Sequence, residues 1–198
     1  MLLMSRSMAK PAGGYHHGNL QAALEDAALD LLETTSAAKI SLREVARRAG
    51  VSHNAPYHHF GDRAALLRAL GVRGMAALLS AQEEAVAAAT GPVERVRALG
   101  LAYVRYAAAH PQAFALVFDP DYCAAGTPSA EMAPLITRNE DLLAAEVAAL
   151  VREPGYEGRD VMALSAALWS TVHGMAQLVT LEHLPVEAAE PALDALVR

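Results

Sequence analysis

Residues 40–60, ISLREVARRAGVSHNAPYHHF, decide the fold of this chain. The stretch predicts two short helices joined by a tight turn. Ser41, followed three residues later by Glu44, forms the pattern of a capping box, which marks the start of a helix. One apolar stripe follows at the i, i+3, i+4 and i+7 spacing of a helix that packs on one face: Leu42, Val45, Ala46 and Ala49.

The turn after the first of these helices has its own signature. Gly50 stands where a left-handed residue ends a helix, and Val51 supplies the apolar contact beyond it. Ser52 is placed to cap the second helix, which carries several polar side chains within a few turns. Two helices in this arrangement form a helix-turn-helix, whose second helix enters the major groove of DNA.

The motif also carries a family resemblance. SLREVARRAGVSHNAPYHHF, followed by GDRAALLRAL, resembles the DNA-binding domain of the TetR/AcrR family of bacterial transcriptional regulators. The preceding YHHGNLQAALEDAALDLL resembles the first helix of that family's three-helix head. The resemblance implies an all-α protein with a helix-turn-helix head at residues 15–62 and an effector-binding and dimerisation body at residues 63–198. Residues 1–14 are predicted to form a flexible arm.

Composition supports a helical fold and excludes several kinds of site. Of the 198 residues, 54% are apolar and only 5% are aromatic, which suits closely packed, alanine-rich helices. The single cysteine, Cys123, excludes an internal disulfide and a multi-cysteine metal site, and a redox role for one loop thiol is a minor alternative. No stretch suggests a signal peptide or approaches a membrane span, so a cytoplasmic protein without a membrane partner is expected.

Charge is distributed unevenly along the chain. The net charge is −6, which taken alone opposes binding to nucleic acid. However, residues 1–73 hold nine Lys/Arg against six Asp/Glu, whereas residues 74–198 hold seven against sixteen. Salt screens charges separated by more than about 8–10 Å, so the local surface decides phosphate attraction. A basic head on an acidic body is compatible with DNA binding.

The second helix and its flanks supply the candidates for DNA contact. Asn54 can pair with adenine through two hydrogen bonds, and His53 can donate or accept at guanine. Tyr57 offers a hydroxyl to a phosphate and a ring to a thymine methyl group, although it also suits a half-buried packing position. With the positions implied by the resemblance, the candidate set is Ser41, Arg43, Ser52, His53, Asn54, Ala55, Tyr57, His58, His59 and Arg63.

Within this set, Ser41, Arg43 and Arg63 are expected to hold the DNA backbone. Ala55 is small enough for close approach, and His59 is expected to pack on its neighbours near a phosphate. The second helix contains neither Arg nor Lys, so the commonest bidentate contact to guanine is absent there. The base sequence of the operator therefore does not follow from the protein sequence.

The body is predicted to hold a long helix at residues 63–89, helices at 93–109, 130–152 and 159–183, a short segment after Pro111, and a last short helix from Ala188. The 159–183 helix is apolar on more than one side, which indicates a surface buried beyond its own subunit's core. By resemblance, the last two long helices pair with their copies in a homodimer. A two-fold dimer also suits a palindromic operator.

Large side chains of the body are candidates for an effector pocket. Trp169 and the pair His173-Gly174 resemble the signature of one C-terminal subclass of the family. Trp169 and His173 lie four residues apart and share a helix face. The candidate pocket residues are Tyr103, Tyr106, Phe114, Phe118, Trp169 and His173. The alternative is that they are simply the large residues of an alanine-rich core; their aromatic character favours a mostly apolar effector.

These patterns predict a ligand-responsive transcriptional regulator, expected to act as a repressor on double-stranded DNA and to be released by a small molecule. No cofactor, metal site or catalytic site is expected, because no phosphate loop, metal-ligand spacing or nucleophile motif is present. Two alternatives remain: a helical small-molecule-binding protein or enzyme without DNA activity, and a non-specific nucleoid protein. Effector, operator, target genes and oligomeric state on DNA are left open.

Overall fold

The structure, a computed structural model, describes residues 17–124 and 126–197. All the regular elements in these ranges are helical, which confirms the predicted all-α fold. The predicted arm at residues 1–14 lies outside the described ranges, as do Tyr15 and His16. The helices are α1 (His17–Leu32), α2 (Leu42–Arg48), α3 (Ala55–Phe60), α4 (Arg63–Ala88), α5 (Pro92–Ala109), α6 (Pro111–Phe118), α7 (Ala133–Leu150), α8 (Val161–Thr180) and α9 (Ala189–Leu196).

The head is built from α1, α2, α3 and the first turns of α4 around one apolar core. That core is buried because α1, α2 and α4 each contribute an apolar stripe, while α3 contributes the half-buried Phe60. Leu116 of α6 also reaches this core, so the body packs directly on the head. The principal buried members are Leu24, Ala28, Leu32, Ile40, Leu42, Val45, Leu66, Leu67 and Leu70.

Local hydrogen bonds fix both ends of α2. The Ser41 hydroxyl accepts the Glu44 N–H at 3.2 Å. Glu44 directs its carboxylate to Arg47 instead, at 2.5 and 3.0 Å, so only the Ser41 half of the predicted capping box forms. At the other end Gly50 has φ +67°, as predicted for a left-handed residue. Its N–H donates to Arg47 O and the Val51 N–H donates to Ala46 O, completing a Schellman motif.

The second helix of the motif begins later than the sequence predicts. Ser52 does not cap α3 directly; its hydroxyl accepts the Asn54 N–H at 3.4 Å, within the turn. The helix starts at Ala55, with Pro56 in its first turn, where a missing N–H costs nothing. Asn54 is the N-cap residue but makes no side-chain capping bond, so its amide remains directed outward from the turn.

Helix α4 connects the head to the body and packs chiefly on α5 and α6. Its N-terminus is capped by Asp62, whose Oδ1 accepts the Ala65 N–H at 2.7 Å. Gly71 and Gly74 lie where α6 crosses: a Cβ at Gly71 would stand 2.9 Å from Cys123 Sγ, and one at Gly74 would stand 3.2 Å from Ala113 O. These glycines therefore allow the backbones of α4 and α6 to approach closely.

One composition-based expectation is wrong for α4. The sequence pattern predicts no stretch approaching a membrane span, yet α4 has 26 residues and contains an 18-residue window with a mean hydropathy of 1.4, enough by length and composition. Its apolar residues are instead divided between the head core and the body core, and ten of its residues are buried. Packing in the head core and the body core therefore accounts for the buried apolar residues of α4.

The body core lies between α4, α5, α6 and α8. Helix α5 is its central member because it packs on α4, α7, α8 and α9. The side chain of Leu193 brings α9 against α5 beside Gly100, where an added Cβ would stand 3.1 Å from Leu193 Cδ2. An ion-pair network holds the same helix: Arg97 of α5 binds Asp194 at 2.5 Å and Glu190 at 2.8 Å.

Candidate nucleic-acid interface and body cavity

Four of the predicted DNA-contact residues line one open concavity on the head. Arg43 comes from α2, His53 and Asn54 from the turn, and Tyr57 from α3. The concavity has a volume of about 630 Å³, and all four side chains are exposed. Tyr57 is 47% exposed although aromatic, so its ring is presented to solvent instead of completing the head core.

Arg43 differs from its neighbours in the availability of its charge. Arg47 pairs with Glu44 at 2.5 Å, and Arg48 pairs with Asp30 at 3.0 Å, both on the exposed surface. Within the described residues Arg43 forms no ion pair. No intramolecular ion pair therefore has to break before its guanidinium can bind a phosphate.

The remaining candidates surround this concavity or support it. Ser52 and His58 are exposed, whereas Ala55 and His59 are half-buried. Ser41 is exposed, but its hydroxyl already caps α2. Direct DNA contact by any of these residues stays a prediction; the geometry shows that they lie on or beside one face.

Arg63 is the candidate whose surroundings differ most from the expectation. Its Nε donates to Ile40 O at 2.8 Å, and its terminal nitrogens donate to Ala37 O and to the Tyr122 hydroxyl. Ala37 and Ile40 belong to the loop before α2, while Tyr122 belongs to the loop after α6. The guanidinium is thus engaged inside the protein, where it ties the head to the body. Its predicted role as a phosphate contact remains a prediction.

In the body, most of the predicted pocket residues form a packed aromatic cluster. Phe114 and Phe118 lie 5.1 Å apart by ring centroids, and Phe118 lies 4.7 Å from the His173 ring. The Tyr103 hydroxyl stands 2.8 Å from His173 Nδ1, and Trp169 stacks 5.6 Å from the same imidazole. His173 is therefore the centre of the cluster, with aromatic rings on several sides.

Tyr106, the sixth predicted pocket residue, faces a different element. Its hydroxyl donates to Gly74 O of α4 at 3.0 Å, and its ring lies 5.1 Å from His110. It thereby contributes to the contact between α4 and α5. A pocket role for Tyr106 stays a prediction, but its immediate contacts are those of a packing residue.

A separate small space lies between α4, α5, α7, α8 and α9. Its volume is about 30 Å³, which is about the volume of one water molecule in the liquid. Tyr103 and Trp169 are the predicted pocket residues that reach it. The other lining residues are Gln82, Val96, Leu99, Gly100, Asn139, Leu143, Leu168, Val172, Leu193 and Val197.

Gln82 and Asn139 are polar lining residues that the sequence reasoning missed. Asn139 Nδ2 donates to Gln82 Oε1 at 2.7 Å, although Gln82 is only 5% exposed. A signal was present in the sequence: Gln82 follows Leu78 and Leu79 at helical spacing and precedes Val86, so it interrupts the buried stripe of its helix. A polar residue in such a position requires a hydrogen-bonding partner.

Burial alters the proton affinity of several body groups. It lowers the pKa of His173 and thus favours the neutral imidazole. It raises the pKa of Tyr103 and raises that of Tyr106 to about 12, so both phenols stay protonated near neutral pH. Burial, with the charge of Asp119, also raises the pKa of the Cys123 thiol, which disfavours the reactive thiolate that a redox sensor needs.

Helix α8 carries an exposed apolar face in addition to its buried one. Met162 is 72% exposed and Trp169 is 47% exposed, and Ala166 between them is also exposed. Leu178 and Leu181 are also exposed near the C-terminal end of the helix, but Leu178 follows Trp169 by about two and a half turns and so lies on the opposite side of α8. A Cβ at Gly174 would meet nothing within 4 Å in the described part of the chain. Met162, Ala166 and Trp169 follow one another at helical spacing, so they form an apolar face on which another helix can pack.

Solved structures resemble this chain over almost its whole length. A protein of unknown function from Rhodococcus sp. RHA1 is 34% identical, with a TM-score of 0.74, and the match covers 92% of this chain and 95% of that one. The TetR family transcriptional regulator PfmR from Thermus thermophilus is 24% identical, with a TM-score of 0.66 and coverages of 89% and 97%. No protein of curated function matches the sequence closely enough to count as a relative.

The fold is shared even at low identity. The transcriptional regulator FadR from Bacillus subtilis, solved in complex with stearoyl-CoA, is 15% identical, with a TM-score of 0.67 and coverages of 89% and 97%. A likeness at this identity shows the fold alone.

Family models match both parts of the chain. The model described as bacterial regulatory proteins of the tetR family matches residues 24–70, which include the concavity. The model described as a tetracyclin repressor-like C-terminal domain matches residues 96–198, which is more than half of the chain. With a helix-turn-helix head, an all-helical body and both family models in the expected order, the chain belongs to the TetR family of bacterial transcriptional regulators.

Proposed function

We propose that this protein is a cytoplasmic repressor that binds a palindromic operator as a homodimer and is released by a small, mostly apolar effector. TetR-type regulators are DNA-binding proteins that respond to ligands. The repressor role, the palindromic operator and the apolar effector are what we propose for this chain. The observation that carries it is the concavity lined by Arg43, His53, Asn54 and Tyr57, since it gathers polar side chains of two helices and their turn on one exposed face.

In the proposed complex the start of α3 enters the major groove. Asn54 then reads an adenine through its side-chain amide, which no capping bond occupies. Arg43 binds a backbone phosphate on the flank, because its charge has no partner within the described residues. Tyr57 places its hydroxyl on a phosphate or its ring against a thymine methyl group, either of which explains why an aromatic side chain is 47% exposed.

The proposed dimer forms through α8 with the neighbouring face of α7. Support comes from the exposed Met162, Ala166 and Trp169 on one face of α8, which would lose contact with water against a second copy. A two-fold axis through this surface gives the two heads the symmetry of a palindrome. Half-sites are then separated by about one helical turn or somewhat more.

Coupling between effector and DNA requires that the body and the head share contacts. Arg63 joins the loop before α2 to Tyr122, and Glu33 at the end of α1 lies 3.0 Å from His110 at the start of α6. An effector that binds one arrangement of the body more tightly shifts the head through these contacts. The shift is limited by the difference between its affinities for the two arrangements.

The test is selection of bound sequences from random duplex DNA by the purified protein, read by sequencing. We expect an enriched palindrome. The matched comparison is a variant with Asn54→Ala and Tyr57→Ala, which should lose about 30-fold or more in affinity for the selected duplex, since each of the two lost contacts is worth about 1–3 kcal/mol. Both side chains are exposed, so the thermal unfolding temperature should stay near that of the wild type.

A control variant distinguishes loss of recognition from a general effect of truncating an exposed side chain. Arg105→Ala removes an exposed cation from α5, outside the head, and should leave the affinity unchanged. No enrichment at low salt, with and without extracts containing small molecules, would contradict the proposal. Equal binding to all duplexes would instead indicate a non-specific DNA-binding protein.

A further inference from the structure

We propose that the small space between α4, α5, α7, α8 and α9 is an effector site for an uncharged, ring-sized apolar molecule with one hydrogen-bonding group, which binds by displacing Leu193 and anchors on Gln82 and Asn139. This site deepens the proposed function, on which its role as an effector site rests. The aromatic cluster around His173 is filled by its own rings, so it offers a wall to the site and no room of its own.

The polar anchor is a pair of amides, the buried Gln82 and the half-buried Asn139, with unused hydrogen-bonding groups. Gln82 is 95% buried, and one of its amide groups, Oε1, accepts from Asn139 Nδ2 at 2.7 Å. Among the described residues, Gln82 Nε2 and Asn139 Oδ1 have no hydrogen-bond partner. One donor and one acceptor thus line the space together, which is the complement of a hydroxyl group or of an amide.

The lining excludes ionised ligands. None of its twelve residues carries a charge. The charges on adjoining turns already pair with one another: Arg138 with Glu83 at 2.6 Å, and Arg95 with Glu146 at 2.9 Å. A carboxylate or ammonium placed in this space would lose its hydration without gaining a counter-charge, so it would bind poorly.

Helix α9 is the shortest wall of the space, and because the ion pairs of Arg97 hold its backbone, the Leu193 side chain is the part that has to move. The helix has only eight residues and packs mainly on α5, with Leu193 and Val197 facing the space. Gly100 permits this close approach, since a Cβ there would stand 3.1 Å from Leu193 Cδ2 and 3.2 Å from Val172 Cγ2. Removal of one leucine side chain from an apolar core can leave a cavity of about 150 Å³, which admits a benzene-sized molecule.

Trp169 provides a local readout, because it is the single tryptophan of the chain and lines the space. The probes are four molecules with the same ring: benzyl alcohol, toluene, benzoate and benzylammonium. Each is titrated at pH 7 into the full chain while Trp169 emission is recorded with excitation at its red edge. We expect saturable changes with benzyl alcohol and weaker ones with toluene, and none with the two ions.

Three substitutions test the geometry. Leu193→Ala removes the displaced side chain and should tighten benzyl alcohol binding about tenfold, since no side chain then has to move. Gln82→Met keeps the volume but removes the amide, and should weaken benzyl alcohol about fivefold while leaving toluene unchanged. Gly100→Ala adds a methyl group to the space and should weaken both neutral probes, which keeps the test decisive if Leu193→Ala does not fold.

The inference is overturned if benzoate or benzylammonium binds as well as benzyl alcohol, or if Gln82→Met weakens toluene and benzyl alcohol equally. Operator binding is measured separately on the selected duplex. If the protein selects an operator but Trp169 responds to none of the probes, the site is wrong and the proposed function stands. If Trp169 responds as expected but no DNA is selected, the proposed function fails while the site remains.

Discussion

Arg63 offers the sharpest test of how this fold is held together. We expect Arg63→Met to destabilise the protein, because methionine keeps the apolar stem but removes donors to Ile40 O, Ala37 O and the Tyr122 hydroxyl. A hydrogen bond from a charged group contributes about 1.5–3 kcal/mol. Arg63 is half-buried, so we take the lower end for each of the two carbonyl bonds, about 3 kcal/mol in total.

The assay is thermal unfolding followed by circular dichroism. In a chain of this length about 3 kcal/mol lowers the midpoint temperature by about 6–12 °C. Arg63→Lys should recover little of this loss, since an ammonium cannot span two carbonyls as the guanidinium fork does. Arg68→Met is the matched control: it removes an exposed arginine from the same helix and should change stability by less than about 0.5 kcal/mol.

The opposite result is equally well defined. If Arg63 is chiefly a phosphate contact, Arg63→Met leaves the unfolding midpoint in place. It would instead weaken operator binding and reduce the slope of log affinity against log salt by about one. An unchanged midpoint would therefore refute the structural role argued from these hydrogen bonds.

Two further predictions concern the body. Met162 is 72% exposed in the single chain, so Met162→Glu should convert the proposed dimer to a monomer in sedimentation velocity. The control Ala115→Glu, on the exposed surface of α6, should leave the dimer intact. A dimer that survives Met162→Glu would exclude the Met162 face of α8 as the dimer interface. Burial lowers the pKa of His173 in the folded protein. As the pH falls below about 6.5, the usual pKa of histidine, the unfolded chain therefore binds a proton at His173 more readily than the folded protein does. The free energy of unfolding in urea should therefore fall between pH 7.5 and pH 5.5 by more in the wild type than in His173→Gln, and equal losses would contradict the assignment.

The sequence was a good guide wherever one local rule acted alone. Spacing predicted the apolar stripe of α2, and Gly50 predicted its left-handed end, because helix periodicity and positive φ are decided within a few residues. The helix-turn-helix pattern likewise brings the four residues of the concavity to one exposed face, and their contact with DNA stays a prediction.

Features that depend on contacts between distant segments could not be predicted in this way. Arg63 lies at the start of a helix, where a phosphate contact is a reasonable expectation, and only the folded chain brings Ala37 and Tyr122 to it. The aromatic residues of the body are predicted to surround a pocket, but close packing fills that region with their own rings. The remaining space lies beside Gln82 and Asn139, and Tyr103 and Trp169 are the members of the predicted set that line it.

The glycines of α4 have a mechanical consequence. Most helix pairs are separated by side chains, which absorb small displacements by changing rotamer. At Gly71 and Gly74 the carbonyls of Leu116 and Ala113 lie against the α4 backbone, at 3.3 and 3.2 Å from where a Cβ would stand. Because no side chain separates the two backbones here, a displacement of α6 is transmitted to α4 and is not absorbed by rotamer changes. A displacement of α6 therefore moves α4 and the head that α4 carries. A single added methyl group at Gly74 would push α4 and α6 apart.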